Sequence, residues 1–546
     1  MQIDTKGSED FPALSDILAA IGASDHDRAS ELARAELERG TLHPLLLNLR
    51  AWWHEKQGRP QLAHTDLEHA HALAPEDVPV LNALGLSLAR AGRTREALQS
   101  FLRATELSPE FAAAHYNCGW VSEELGDLDA ARMHYERALQ LGQNTSGNLA
   151  ALAARQGNWA SARLHAGQAL AIDPGLAIAE HALASVEIAE GNYSDAEGRL
   201  TRMGANTSLS PLHLANTLSL LGDALDAAGR YGEAFAAYQS GNAKTRQVYA
   251  ARFENPAVEN MRQYVERLSR YFRNIPAESW MAADTDPPGD REGPLRHIFL
   301  LSFARSGTTL LEEVLVCQEN VVTTQERDGL ADGVAGLLKN EAGLDLLTAL
   351  RGGGLARYRR AYWRKLADFG IVPEGRYVID KQPYNTIGLP LIAKLFPAAK
   401  ILFVVRDPRD VVLSCFRRRF LMNATNFQLL TLEGAAKFYD AVMGLAEICR
   451  EKLPLQLREI RYEGLVANFE KEMRQICDYT GIAWTDRMND FAGNAARRSI
   501  TTPSAIQIAR GLNREGIGHW RRYRLQLEPV LPILRPWIER FGYAAE

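Results

Sequence analysis

The chain has 546 residues, a formal net charge of −5, and the apolar and charged fractions of an ordinary soluble protein. That length exceeds what one core holds, so two or three domains are expected. The acidic balance argues against a general nucleic-acid binder. Five cysteines (Cys118, Cys317, Cys415, Cys449, Cys477) form no C-x-x-C pair, which points away from a zinc site or disulfide framework and fits a reducing compartment. The polar, acidic start from Met1 to Asp10 is not a secretory signal, and no apolar run reaches the roughly 18 residues of a membrane span. A cytoplasmic protein with no membrane span is expected.

The first half repeats itself. Gly58, Gly92, Gly126, Gly157, Gly191 and Gly229 fall 34, 34, 31, 34 and 38 residues apart, each between two amphipathic helical patterns. A pair with a small residue follows each turn, as in Glu96-Ala97, Ala130-Ala131, Ser161-Ala162, Asp195-Ala196 and Glu233-Ala234. Pro75, Pro109 and Pro174 close three of the units. A helix–turn–helix period near 34 is the pattern of tetratricopeptide repeats, in which glycine permits the turn and alanine the close approach of paired helices. About six units are expected from residue 45 to about 245, after a degenerate cap at 14–40.

Helical pattern continues to residue 272, and a proline-rich acidic stretch at 276–294 then reads as a linker. The expected division is 1–275 for the repeats, 276–294 for the linker and 295–546 for a second domain. In that domain, short apolar runs at 297–301, 377–379, 401–405 and 457–460 alternate with longer helical patterns, which predicts a parallel sheet covered by helices. The fold class is therefore an all-α repeat superhelix followed by an α/β parallel-sheet, P-loop-like domain. Ligands of such sheets bind outside the carboxyl ends of the strands.

The first run leads into Arg305-Ser306-Gly307-Thr308-Thr309, a turn that puts backbone N–H groups and hydroxyls before a helix N-terminus. A Walker loop has Lys where Thr308 stands, and Ser302 replaces its first glycine. The loop reads as a phosphate site without an ATPase's metal apparatus. The third run ends in Arg406-Asp407-Pro408-Arg409-Asp410, with Ser414 eight residues after Arg406. The second leads into Lys381-Gln382-Pro383 and the fourth into Arg461-Tyr462-Glu463. Such a set suits a ligand with two separate phosphates, because the arginine fork donates two parallel hydrogen bonds.

These motifs resemble the sulfotransferase family, above all tyrosylprotein sulfotransferases and their repeat-fused relatives, over roughly residues 295–543. The resemblance implies that Arg305, Ser306, Gly307, Thr308 and Thr309 hold the 5′-phosphosulfate of 3′-phosphoadenosine 5′-phosphosulfate (PAPS). It implies that Arg406 and Ser414 hold the 3′-phosphate, with Tyr462 and Ser504 near the nucleotide. The family's general base lies twenty-one residues beyond the loop arginine, which is Glu326 here, and Lys381 corresponds to an assisting lysine. Two departures stand out: Ala304 replaces a frequent proline, and His519 precedes Trp520 where the family has a cation.

The resemblance implies transfer of a sulfuryl group from PAPS to a hydroxyl, leaving PAP, with Glu326, Arg305 and Lys381 catalytic and no metal. The expected acceptor is a peptide or protein tyrosine presented by the repeats; a carbohydrate, lipid or small phenol is the alternative. A repeat scaffold with an inactive nucleotide-binding domain is the competing class, and a metal-dependent kinase is disfavoured by the missing loop lysine. A homodimer is compatible with the sequence.

Overall fold

The structure, a computed structural model, describes residue 11 and residues 13–276, 294–497, 508, 511–512 and 514–545. Ser504 and most of the expected linker lie outside the described residues. The chain divides into two compact units, Met1–Val186 and Glu187–Glu546.

In the first unit, helices pair through short turns: Pro44–Lys56 with Pro60–Leu73, Val78–Arg90 with Thr94–Leu107, and Ala112–Glu124 with Leu128–Gln140. The turn after Val78–Arg90 shows why glycine recurs. Gly92 sits at φ +77°, and Arg93 N–H reaches back to Leu88 O at 2.9 Å, a left-handed C-terminal cap. Inside the pair, a Cβ on Gly85 would come within 2.6 Å of the Phe101 ring, while Ala97 and Ala104 are fully buried. Small residues therefore set the helix spacing.

The second unit is built on a parallel five-stranded sheet, in the order β2-β3-β1-β4-β5: β1 Arg296–Leu301, β2 Val321–Thr323, β3 Tyr377–Lys381, β4 Lys400–Val405 and β5 Gln456–Arg461. Four of these are the apolar runs of the sequence. β2 was not anticipated, since three residues of an edge strand carry too little pattern. The central strands are apolar on both faces: Ile298, Leu300, Ile379 and Leu402 pack on one side, and Phe299, Leu301, Val378 and Phe403 on the other.

The second face also receives Leu225, Tyr238, Val265, Leu268 and Phe272, from the helices Pro211–Ala227, Tyr231–Phe253 and Met261–Asn274. No helix among the described residues is long and apolar enough to cross a membrane. The chain leaves β1 toward β2 on one side, whereas β4 leads to β5 on the other. The crevice at this reversal lies between the loops that follow β1 and β4.

Candidate functional site

The loop after β1 is tied at its start to neighbouring elements on both sides. Ser302 Oγ donates to Val404 O at 2.6 Å, and its carbonyl accepts from Thr386 Oγ1 at 2.7 Å, so the serine in place of a Walker glycine ties β1 to β4. Arg305 then adopts φ +68° and Gly307 φ +104°. A Cβ on Gly307 would lie 2.3 Å from Tyr462 Cδ2, so only glycine fits beneath that ring. The Thr308–Leu315 helix starts immediately afterwards, with Ser306, Thr308 and Thr309 buried around its N-terminus. The first-turn N–H groups of such a helix lack intrahelical acceptors and suit an anion.

The loop after β4 brings the second arginine to the same place. Arg406 donates to Arg305 O at 3.0 Å and to Gly516 O, and its guanidinium lies 4.9 Å from the Tyr462 ring centroid. Its Nε is buried without a partner among the described residues. Ser414 accepts from Arg305 Nε at 3.1 Å. Arg305, Arg406, Ser414 and Tyr462, chosen from separate stretches of sequence, therefore form one cluster. Burial, followed by the neighbouring Arg418 and Arg406 charges, pushes Arg305 down to about 9, which leaves it cationic at neutral pH.

The remaining residues of that loop have other duties. Asp407 takes Arg409 in a two-pronged pair at 2.8 and 2.9 Å, and Asp410 accepts from Gly518 and Trp520 N–H at 2.7 and 2.8 Å. His519 turns to Asp226 of the Pro211–Ala227 helix at 3.2 Å, and Arg417 and Tyr523 reach the same carboxylate. Burial alone would raise Asp226; the His519 hydrogen bond and the Arg417 charge prevail and take it down to about 2. His519 thus answers to an aspartate of a preceding helix.

Glu326 reaches the cleft through a strained turn. Beyond β2, Gln325 and Glu326 take φ +51° and +69°. Glu326 N–H donates to Lys381 O at 2.9 Å, and its carbonyl accepts from Gln382 Nε2 at 2.8 Å. Lys381 Nζ lies 2.6 Å from Glu326 Oε1 and 3.1 Å from Glu312 Oε2. Burial alone would lower Lys381, but the two carboxylates outweigh it and raise it. The sequence reading missed Glu312, a buried acid on the helix that follows the loop after β1, whose other oxygen accepts from Thr323 Oγ1. Its signal was the Glu312-Glu313 pair set among leucines and a valine in that helix.

A cleft of about 620 Å³ opens from Arg305 and the Gly307–Thr309 turn, past Glu326, toward Met261, Tyr264, Tyr384 and Phe420. Among the described residues, the Tyr264 and Tyr384 hydroxyls are buried without partners.

Residues 297–486 match the family model described as "Sulfotransferase family", and residues 82–146 match that of the tetratricopeptide repeat. The chain carries a sulfotransferase-family domain behind tetratricopeptide repeats. Over 174 residues it is 28% identical to protein-tyrosine sulfotransferase 1 of Danio rerio, covering 31% of this chain and 48% of that protein. Over 248 residues it is 27% identical to the protein-tyrosine sulfotransferase of Drosophila melanogaster, covering 42% and 48%. An uncharacterized Aquifex aeolicus (strain VF5) protein is 26% identical over 253 residues, 44% of this chain and 32% of the relative. The chain thus spans between about a third and a half of the curated relatives it matches. Among solved structures, the sulfotransferase domain of the Synechococcus PCC 7002 olefin synthase is 22% identical, with a TM-score of 0.31, covering 42% of this chain and 89% of that one.

Proposed function

We propose that the sulfotransferase domain moves a sulfuryl group from PAPS to an acceptor hydroxyl, most fittingly a tyrosine of a peptide or protein that the repeats present. The observation that carries this reading is the convergence of two arginines, a serine and a helix N-terminus on one crevice, with Glu326 at the wall of the same cleft. The residues fit a doubly anionic nucleotide: Arg406 keeps a buried unpartnered Nε, and the turn before Thr308 is shaped by a glycine that Tyr462 covers. Arg305 to Thr309 would hold the 5′-phosphosulfate, and Arg406 and Ser414 the 3′-phosphate.

When bound, PAPS supplies the sulfuryl group, whose bond to the 5′-phosphate oxygen breaks as its bond to the acceptor oxygen forms. Glu326 takes the hydroxyl proton in this reading, and Lys381 fixes the orientation of that carboxylate from below. Arg305 stabilises the charge that develops on the transferred group and the leaving phosphate. The acceptor enters from the side of Met261, Tyr264 and Phe420, where an aromatic ring finds apolar walls. The tetratricopeptide repeats, a scaffold suited to extended peptides, support a peptide or protein acceptor.

The test is transfer of labelled sulfate from PAPS to a pool of tyrosine peptides. Glu326→Gln should lower transfer at least 100-fold while PAP still raises the melting temperature. Near-normal transfer by that variant, or stabilisation by ATP–magnesium and not by PAP, would overturn the reading.

A further inference from the structure

Asp226 lies on a helix that precedes the sheet, three residues before Gly229, the last of the recurring turn glycines. Its carboxylate nevertheless serves residues that come after β4. Oδ2 accepts from Arg417 Nη2 at 2.6 Å, and Oδ1 accepts from the Tyr523 hydroxyl. His519 Nε2 stands against both members of the ion pair, 3.2 Å from Oδ1 and in contact with Arg417 Nη1. The Asp226 and Arg417 side chains are each only 14% exposed. A pair this enclosed pays a desolvation cost, and it is not needed merely to attach a helix whose Leu225 already sits in the core shared with the sheet.

The groups that Asp226 fastens belong to the two elements that meet at Arg406 and Ser414. Arg417 is about one turn beyond Ser414 on the helix Pro408–Arg417. His519 and Tyr523 bound a short 3-10 turn, and the backbone just ahead of it lies on Arg406. Gly516 O accepts from Arg406 Nη2, and a Cβ on Gly516 would come within 2.8 Å of that nitrogen. Asp410, in the first turn of the Ser414 helix, takes the Gly518 and Trp520 N–H groups at 2.7 and 2.8 Å. The contacts therefore close into a ring: from Asp226 to Arg417, back along the helix to Asp410, across to Trp520, and through Tyr523 to Asp226 again. The next helix, Tyr231–Phe253, backs the ring, since Asn242 Nδ2 donates to Phe416 O at 2.9 Å and Phe235 stacks on the Phe416 ring.

We infer that Asp226 is a positioning residue for nucleotide binding: from the last repeat-like helix pair it holds the Ser414 helix and the 516–523 segment in one arrangement around Arg406. The inference rests on the role proposed for Arg406 and Ser414 in holding a nucleotide phosphate. Asp226 touches neither of them directly; it acts through Arg417 on one side and Tyr523 on the other. Without the carboxylate the ring is open at one point, and the segment lying on Arg406 keeps only its ties to Asp410 and Arg406. The helix pair at 211–253 thereby belongs to the nucleotide site as well as to the core.

The experiment measures PAP binding to the full chain by calorimetry, well below the melting temperature of each variant. Asp226→Asn should weaken binding at least tenfold, and Tyr523→Phe, which keeps the ring and removes the hydroxyl, at least threefold. The double variant should bind within twofold of Asp226→Asn alone, because Tyr523 acts through that carboxylate. Leu225→Ala, one residue earlier and buried in the core, should lower the melting temperature yet keep PAP affinity within twofold of the parent. Parent-like affinity in Asp226→Asn would overturn the inference. So would an equal loss in Leu225→Ala, since helix stability and not the carboxylate would then matter, or a double variant whose loss is the product of the single losses. If Asp226→Asn does not fold, unchanged affinity in Tyr523→Phe overturns it. A parent that does not bind PAP, or an Arg406→Ala variant that binds it as the parent does, would remove the nucleotide reading and this inference with it.

Discussion

Replacing Lys381 by methionine keeps the length and volume of the side chain and removes one buried charge. The ammonium is fully enclosed, and of its two partners Glu312 is 2% exposed whereas Glu326 is 36% exposed. After the substitution, Glu326 can turn to solvent, but Glu312 cannot. It is left as a buried anion whose remaining bond comes from the Thr323 hydroxyl. Breaking a buried pair by deleting one partner costs about 3–5 kcal/mol. Adding Glu312→Gln removes the stranded charge and should recover at least half of the loss. Urea unfolding of the full chain at neutral pH, followed through the transition of the 187–546 unit, reads both effects. A loss under about 1 kcal/mol in the single variant would refute the reasoning. So would a double variant no more stable than the single.

Gly307→Ala should weaken PAP binding at least tenfold in calorimetry. The added Cβ would be strained at φ +104° and would push into Tyr462 at 2.3 Å. Asp226, held near 2 when folded against an ordinary value of about 4, stabilises the fold above pH 4 and loses that contribution as pH falls toward 2. Asp226→Asn should therefore lower the melting temperature at pH 7 and flatten its fall between about pH 4 and 2. Tyr264→Ala should raise the KM for a peptide acceptor several-fold and leave PAP affinity unchanged.

Regular spacing was legible from sequence, and pairings across space were not. The repeats announced themselves because Gly92 and its counterparts recur at turns where φ must be positive. The position of the loop after β1 was legible because β1 runs straight into it. Counting from Arg305 led to Glu326, which stands in the same cleft. Glu312 escaped because Glu312 and Glu313 are both buried, and the sequence does not say which of them meets the Lys381 ammonium. The hydrogen bond from Tyr362 to Asp380 escaped because it joins a strand to a helix ending before it. The helices at 211–274 show a third limit. Their periodicity continues that of the repeats, yet Leu225, Tyr238 and Phe272 share a core with the sheet residues Phe299 and Phe403. Periodicity defines a helix pair and leaves open what the pair packs against.

Among the described residues, four that are not glycine have positive φ, and three of them are Arg305, Gln325 and Glu326. Each such residue costs on the order of 1 kcal/mol or more relative to ordinary backbone. Glycine would relieve that cost, as it does at Gly307. Where a loop only has to turn, glycine is the cheaper solution, so an arginine and a glutamate here indicate that their side chains are wanted in those directions. The surroundings hold both in place. Arg406 grips the Arg305 carbonyl at 3.0 Å, and Glu326 is clamped at its N–H by Lys381 O and at its carbonyl by Gln382. Under the function proposed above, strain fixed from outside at two facing loops lets a cation and a base meet a substrate without rearranging, and it would tie the two loops into one device.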